Sequence, residues 1–167
     1  MIRIGFGYDA HPLAAGIPLV LGGVVLDWPA GLAGHSDGDA LVHAVIDALL
    51  GAAALGDIGL HFPDTDPRYK GASSLALLAE VRGKVAGQGY VAHNVDCTVV
   101  AQRPRLQPRI GEMRDKISEA LDVAVSQVSV KATTTEQMGF TGREEGIACY
   151  AVCTLKESKY TGSEDIS

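Results

Sequence analysis

The sequence predicts one globular domain of the α+β or α/β class, and three observations carry that expectation. Short apolar runs, those near the start punctuated by glycine, suit strands at both ends of the chain, a nearly all-apolar segment around residue 45 suits a buried helix, and two amphipathic segments suit helices further on. With 167 residues, 47% of them hydrophobic, there is enough apolar material to bury a core without disulfides or a structural metal.

Ile2 to Gly7 mixes apolar residues with glycine ahead of Asp9 and His11 and reads as a strand running into a loop. Ile17 to Leu26 is a second apolar stretch, broken by Gly22 and Gly23. From Asp37 to about Leu55 nearly every position is apolar, which predicts a helix buried on all sides. Gly56 to Gly71, rich in Gly, Asp and Pro, reads as a loop longer than most connections, and such loops often carry function. Ser73 and Ser74 can cap a second helix, Leu75 to about Ala86. Val95 to Ala101 reads as a strand, Pro108 to Leu121 as a third helix, and Val128 to Thr133 and Ile147 to Leu155 as closing strands. Beyond Lys156 the chain turns small and polar. A folded domain, 1–157, is expected to precede a frayed tail, 158–167, in which apolar burial cannot offset the entropy of ordering.

Charge and composition narrow the function. The 14 Lys and Arg are scattered and outnumbered by 20 Asp and Glu, so a nucleic-acid partner is not expected. No apolar run reaches membrane-spanning length free of charge and turn residues, and the first nine residues lack a basic region followed by an apolar one, so the expected location is cytoplasmic with no membrane partner. Cys97, Cys149 and Cys153 form no C-x-x-C pair and read as small buried hydrophobes.

Asp9 and His11 are two apart, so in extended chain they leave the same face. His43 lies inside the apolar helix, where an imidazole needs a partner. One carboxylate and two imidazoles suit a borderline divalent metal whose fourth position stays open for water or a substrate oxygen. The plainer alternative for Asp9 and His11 is a turn aspartate and a surface histidine. Asp39, His43 and Asp47 share one helical face, so either acid can orient the imidazole, while Asp39 can equally serve the positive end of the helix. His35, Ser36, Asp37 and Gly38 offer phosphate ligands at a helix start, or only a cap. Thr133, Thr134, Thr135 and Glu136 close a strand, where hydroxyls can meet phosphate and Glu136 a hard cation, unless they are surface residues.

Taken in order, Gly5, Gly7, Asp9 and His11; His35 to Asp39; His43; Asp57 to Gly59 with Phe62 to Asp66; and Lys131 to Glu136 with Gly139 to Arg143 resemble the 2-C-methyl-D-erythritol 2,4-cyclodiphosphate synthase family of the non-mevalonate isoprenoid pathway. The resemblance covers nearly everything but the tail. It implies an α+β, single-domain two-layer sandwich, mostly β-sheet with three helices packed on one face, assembled as a homotrimer with active sites between subunits. By that likeness Asp9, His11 and His43 bind one divalent metal, usually Zn, and Glu136 a second ion, Mg or Mn, with the substrate diphosphate. Catalytic contacts fall on His35 and Thr134, with Ser36 also at the substrate. The methylerythritol pocket maps onto Asp57, Ile58, Gly59, Phe62, Pro63, Asp64, Thr65 and Asp66. The cytidine pocket, from a neighbouring subunit, maps onto Ala101, Gln102, Arg103, Pro104, Arg105, Leu106, Gln107 and Thr133 to Glu136. Phe140 and Arg143 complete the set, and Arg143 faces an axial cavity able to hold an isoprenoid diphosphate, which Glu144 is expected to weaken. Phe6 departs from the histidine common in the family.

The implied enzyme is a metal-dependent phosphorus–oxygen lyase. Its substrate, 4-diphosphocytidyl-2-C-methyl-D-erythritol 2-phosphate, cyclises when its 2-phosphate attacks the β-phosphorus and expels CMP, which asks for positioning and charge dispersal rather than a strong base. Two rivals remain at this level: a zinc phosphohydrolase, and a trimeric nucleotide-binding module whose structural metal needs a fourth protein ligand. His61 and His93 lie in other parts of the chain.

Overall fold

The computed structural model describes residues 1–34 and 36–158. Strand β1 (Ile2–Ala15) does not end at Gly7 as the sequence suggests but carries Asp9 and His11 within it. The reason is its partner: antiparallel β7 (Gly146–Glu157) pairs with it from Ile2 opposite Lys156 to Pro12 opposite Gly146, and a continuous ladder overrides the local turn signals. The next apolar stretch is a hairpin, β2 (Leu19–Leu21) and β3 (Val24–Leu26), and β4 (Ala30–Leu32) returns to pair with the end of β1. β5 (Tyr90–Val100) starts earlier than the expected Val95 because it lies antiparallel to β7 along nearly its full length; β6 (Val128–Thr133) joins it in parallel. The five-stranded order is β4-β1-β7-β5-β6.

Helix α1 (Ala40–Ala52) is apolar all round because the sheet covers one side and α3 (Ser74–Gly87) the other. α2 (Ile58–His61) and a 3-10 turn, Pro67–Tyr69, occupy the segment that reads as a long loop. Its short acids are caps: Asp57 accepts from the Leu60 N–H at 2.9 Å and Asp66 from the Arg68 N–H at 3.0 Å. α4 (Ile110–Leu121) flanks α3, and α5 (Gly139–Gly142) is a single turn before β7. The architecture is α+β, with the three long helices on one face of the sheet.

Gly5 and Gly7 explain how α1 meets that face. A Cβ would sit 1.9 Å from the Ala48 carbonyl oxygen at Gly5 and 2.0 Å from that of Ala44 at Gly7, so helix rests on strand backbone. One cross-strand row, Gly7, Ala151, Cys97 and Val130, lies beneath the helices, and all four are buried. All three cysteines are free and buried, and burial pushes the Cys97 and Cys153 thiols up to about 12, which suits packing and not nucleophilic chemistry. The expected tail falls on residues 159–167, outside the described residues, apart from Ser158, whose N–H donates to the Gly89 carbonyl at 2.8 Å.

Candidate metal centre and flanking cavities

The close contact of α1 with β1 builds the site. Positions 5, 7, 9 and 11 of β1 point toward the helix, and α1 crosses them with Ala48 over Gly5 and Ala44 over Gly7. Asp9 and His11 continue that row as His43, next to Ala44, approaches from the helix. The three meet at Asp9 Oδ2, His11 Nε2 and His43 Nδ1: 2.8 Å from Asp9 to His11, 3.0 Å from Asp9 to His43, and 3.2 Å between the imidazoles. A tetrahedral zinc bound at about 2.0 to 2.1 Å sets its donor atoms roughly 3.3 Å apart, close to these separations. The donor set fits a divalent ion, and the side chains keep 24%, 20% and 11% exposure, open to solvent on one side. Among the described residues no fourth ligand joins the group. His61 is turned away, with Nε2 2.9 Å from the Leu55 carbonyl oxygen, and His93 is exposed.

Charge reinforces the cluster. Burial disfavours an ionised Asp9, but hydrogen bonds from His11 and His43 prevail and hold its carboxyl well below the usual carboxylate range. Burial likewise disfavours the charged form of His43, and the hydrogen bond to Asp9 overcomes it, raising the imidazole.

The alternatives for the flanking acids resolve in the fold. Asp39 is wholly buried and caps α1 through the Val42 N–H at 3.0 Å while also accepting from the Gly22 N–H at 2.9 Å and Gly23 N–H at 2.6 Å. It ties the β2–β3 hairpin to the helix start. Asp47 accepts from the Ile58 N–H at 2.8 Å and so anchors α2. The groups against the outer nitrogen of His43 are instead Ser36 and Ser74, each with Oγ 2.9 Å from Nε2. From sequence Ser74 is only a helix-start residue; the one signal toward it is that an imidazole in an apolar helix needs a partner.

The cluster opens on a cavity of about 410 Å³ that also receives Ser36, Ile58, Gly59, Phe62, Pro63 and Asp64, together with Tyr69 and Leu77, which the sequence did not single out. Asp57, Thr65 and Asp66 are not among its lining residues: Asp57 and Asp66 cap their turns, and Thr65 is exposed. A second cavity, about 360 Å³, brings together Ala101, Gln102, Pro104, Arg105, Leu106, Gln107, Thr133 and Thr134. The Gln137 N–H donates to Gln102 Oε1 at 3.2 Å. Thr134 Oγ1 donates to Glu136 at 3.2 Å, and Thr135 Oγ1 is engaged by Met138 and Thr141. Arg103, Thr135, Glu136, Phe140 and Arg143 lie outside the lining of both cavities. Arg143 is paired with Glu145 at 2.8 Å, while Glu144 faces Arg103 at 3.6 Å. His35 lies outside the described residues. A larger cavity, about 750 Å³, opens at the other end of the sheet near Arg82, Tyr90 and Lys156, away from the ligating cluster.

Comparison with known proteins follows the same lines. The YgbB family model matches residues 2–156. The chain is 59% identical to the 2-C-methyl-D-erythritol 2,4-cyclodiphosphate synthase of Desulforamulus reducens, over 93% of its own length and 99% of that protein. It is 61% identical to the synthase of that name from Pseudomonas aeruginosa, over 92% and 98%. The solved CDP complex of IspF from Plasmodium falciparum superposes with a TM-score of 0.82 at 34% identity, covering 94% of this chain and 97% of that one. The bifunctional IspDF of Campylobacter jejuni gives 0.91 at 44% identity, over 94% of this chain and 42% of that one.

Proposed function

The chain belongs to the YgbB family, and from that premise we propose how its own residues carry out the family's chemistry. The activity is that of a 2-C-methyl-D-erythritol 2,4-cyclodiphosphate synthase in isoprenoid biosynthesis. The 2-phosphate oxygen of 4-diphosphocytidyl-2-C-methyl-D-erythritol 2-phosphate forms a bond to the β-phosphorus, the bond from that phosphorus to the CMP oxygen breaks, and no water is consumed. This makes the enzyme a phosphorus–oxygen lyase. One observation carries the reading: a carboxylate and two imidazoles converge within bonding distance of a common point at the mouth of a cavity walled by α2 and the segment after it.

Asp9, His11 and His43 hold one divalent ion, and the nitrogen-rich donor set favours zinc. When bound, it supplies a Lewis acid that withdraws charge from the diphosphate. Ser36 stands at the same cavity to hold a phosphate oxygen, with His35 beside it in the chain. Ile58, Gly59 and the Phe62–Asp64 segment shape the space for the methylerythritol carbons, and Asp47 fixes it by anchoring the Ile58 backbone. The cavity lined by Ala101, Gln102, Pro104 to Gln107, Thr133 and Thr134 takes cytidine; Thr134 would meet the diphosphate, and Glu136, hydrogen-bonded to it, would hold Mg²⁺ or Mn²⁺ to neutralise its charge. Substrate anchored at both ends needs little more, since its nucleophile is already anionic.

The two cavities share no lining residue, which supports a site completed between subunits. The sheet face opposite the helices supports a homotrimer: Ile4, Phe6, Tyr8, Tyr150 and Val152 lie exposed along paired strands there. No described helix is long and apolar enough to cross a membrane, and a cytoplasmic location fits the proposed substrate.

The test is product analysis by phosphorus NMR in oxygen-18 water. The expected products are CMP and a cyclic diphosphate free of solvent oxygen, with turnover lost to a chelator and restored by zinc. A linear phosphate carrying the label would make the enzyme a hydrolase.

A further inference from the structure

His43 has two ring nitrogens with different surroundings. Nδ1 faces Asp9 and His11, and Nε2 faces the hydroxyls of Ser36 and Ser74. A neutral imidazole carries one N–H, and only the nitrogen without it offers a lone pair to a metal. What the hydroxyls behind the ring can accept therefore decides which nitrogen is free.

Ser74 is fully buried and its hydrogen is committed, because Oγ donates to Asp37 Oδ1. The same carboxylate accepts the Ser74 backbone N–H on Oδ2 at 2.9 Å, which locks the pair in register. With its hydrogen directed at a carboxylate, Ser74 Oγ has only lone pairs left for His43. Nε2 must then be the donor and keeps its hydrogen, so the proton a divalent ion displaces is the one Nδ1 shares with Asp9, and Nδ1 becomes the bare nitrogen. Asp37 is held in turn: it accepts from the Asp39 N–H at 3.2 Å, and its own N–H donates to the Ala72 carbonyl at 3.2 Å. Ser36 cannot impose the same choice, since its partners among the described residues are His43 and, at 3.4 Å, Ser74, neither of which fixes its hydrogen.

We propose that Asp37 and Ser74 are positioning residues: the carboxylate aims the serine hydroxyl, and the serine holds His43 in the tautomer that presents Nδ1 to a divalent cation. The segment before α1 and the first residue of α3 are thereby joined behind one metal ligand. This inference rests on Asp9, His11 and His43 being metal ligands, and zinc binding by the unmodified protein tests that reading separately.

The experiment measures zinc affinity by chelator competition for the parent, Ser74→Ala, Asp37→Asn, the double variant and Ser36→Ala. Nitrogen-15 NMR of the zinc-loaded proteins follows the His43 Nε2–H. Ser74→Ala is expected to weaken zinc binding about 10- to 100-fold and Asp37→Asn less, with the double variant no worse than Ser74→Ala, because both act through one hydroxyl. The Nε2–H signal, protected from solvent exchange in the parent, should lose that protection in Ser74→Ala, and Ser36→Ala should cost less affinity. Should Ser74→Ala not fold, Asp37→Asn carries the test, with weakened zinc binding and unchanged urea unfolding of its zinc-free form expected. Zinc affinity of Ser74→Ala within about twofold of the parent, losses that add in full, or a Ser36→Ala defect equal to that of Ser74→Ala would each overturn the relay. A parent that binds no zinc would overturn the metal reading beneath it.

Discussion

The two faces of the sheet follow opposite rules. On the covered face Gly5, Gly7, Ala151, Cys97 and Val130 are small or apolar and buried under the helices. On the open face Ile4, Phe6, Tyr8, Tyr150 and Val152 stay 39% to 71% exposed, and the Tyr8 and Tyr150 rings lie 5.0 Å apart. An antiparallel face turned to water ordinarily carries polar residues, whereas contiguous aromatic and aliphatic groups mark a contact surface. β1 therefore has two faces: alternate residues build first the core and then the Asp9–His11 cluster, while those between them form the exposed apolar surface proposed for association.

The change expected to do most harm is on the covered face. Gly7→Ala places a methyl 2.0 Å from the Ala44 carbonyl oxygen, so α1 must lift from the strand and carry His43 away from Asp9. We expect a loss on the order of 4 kcal/mol or no soluble protein, read by urea unfolding. A variant as stable as the parent would show that the helix does not rest there. His43→Ala should leave the circular dichroism spectrum intact but cut kcat by at least about two orders of magnitude and abolish tight zinc binding. Retained turnover in metal-depleted buffer would sever the cluster from the chemistry.

On the open face Phe6→Asp should alter the stability of the isolated subunit by only about 0.5 kcal/mol, yet bring the mass by light scattering down to that of one 17.4 kDa chain, and turnover should fall with it. A trimer that survives this charge would place the assembly surface elsewhere. The smallest effect concerns pH in metal-free protein. The stabilising contribution of Asp9, whose carboxyl is lowered, is present above its ordinary 3.8 and lost as pH falls through the lowered value. That of His43, whose imidazole is raised, is present below 6.5 and lost as pH rises through the raised value. Metal-free stability should thus be greatest between them and decline on the alkaline side as His43 loses its proton. Zinc affinity should rise over that same interval, because the ion must displace the His43 proton. Parallel slopes in the two measurements would contradict the pairing.

Much of this was legible without coordinates, for reasons that differ by residue. The two-residue spacing of Asp9 and His11 places them on one face of any extended chain, and His43 announced itself as an imidazole among aliphatic neighbours. The segment from Gly56 reads as a loop because the acids that cap a short turn are the same acids that fill irregular chain. β1 was cut short because Asp9, His11 and Pro12 look like turn residues until β7 pairs with them. Asp39 and Asp47 looked like partners of His43 from helical spacing, yet each was taken by backbone N–H groups from other segments.

Helix and strand character and the buried nature of α1 follow from residue order, because periodicity and composition are local properties; Asp9, His11 and His43 could be named from it only as candidate ligands. The nitrogen that His43 turns toward Asp9 and His11, and the serine and carboxylate behind the ring, were decided only by folding. Ser74 lies 31 positions from His43, and no local pattern encodes which hydroxyl a packed helix will meet.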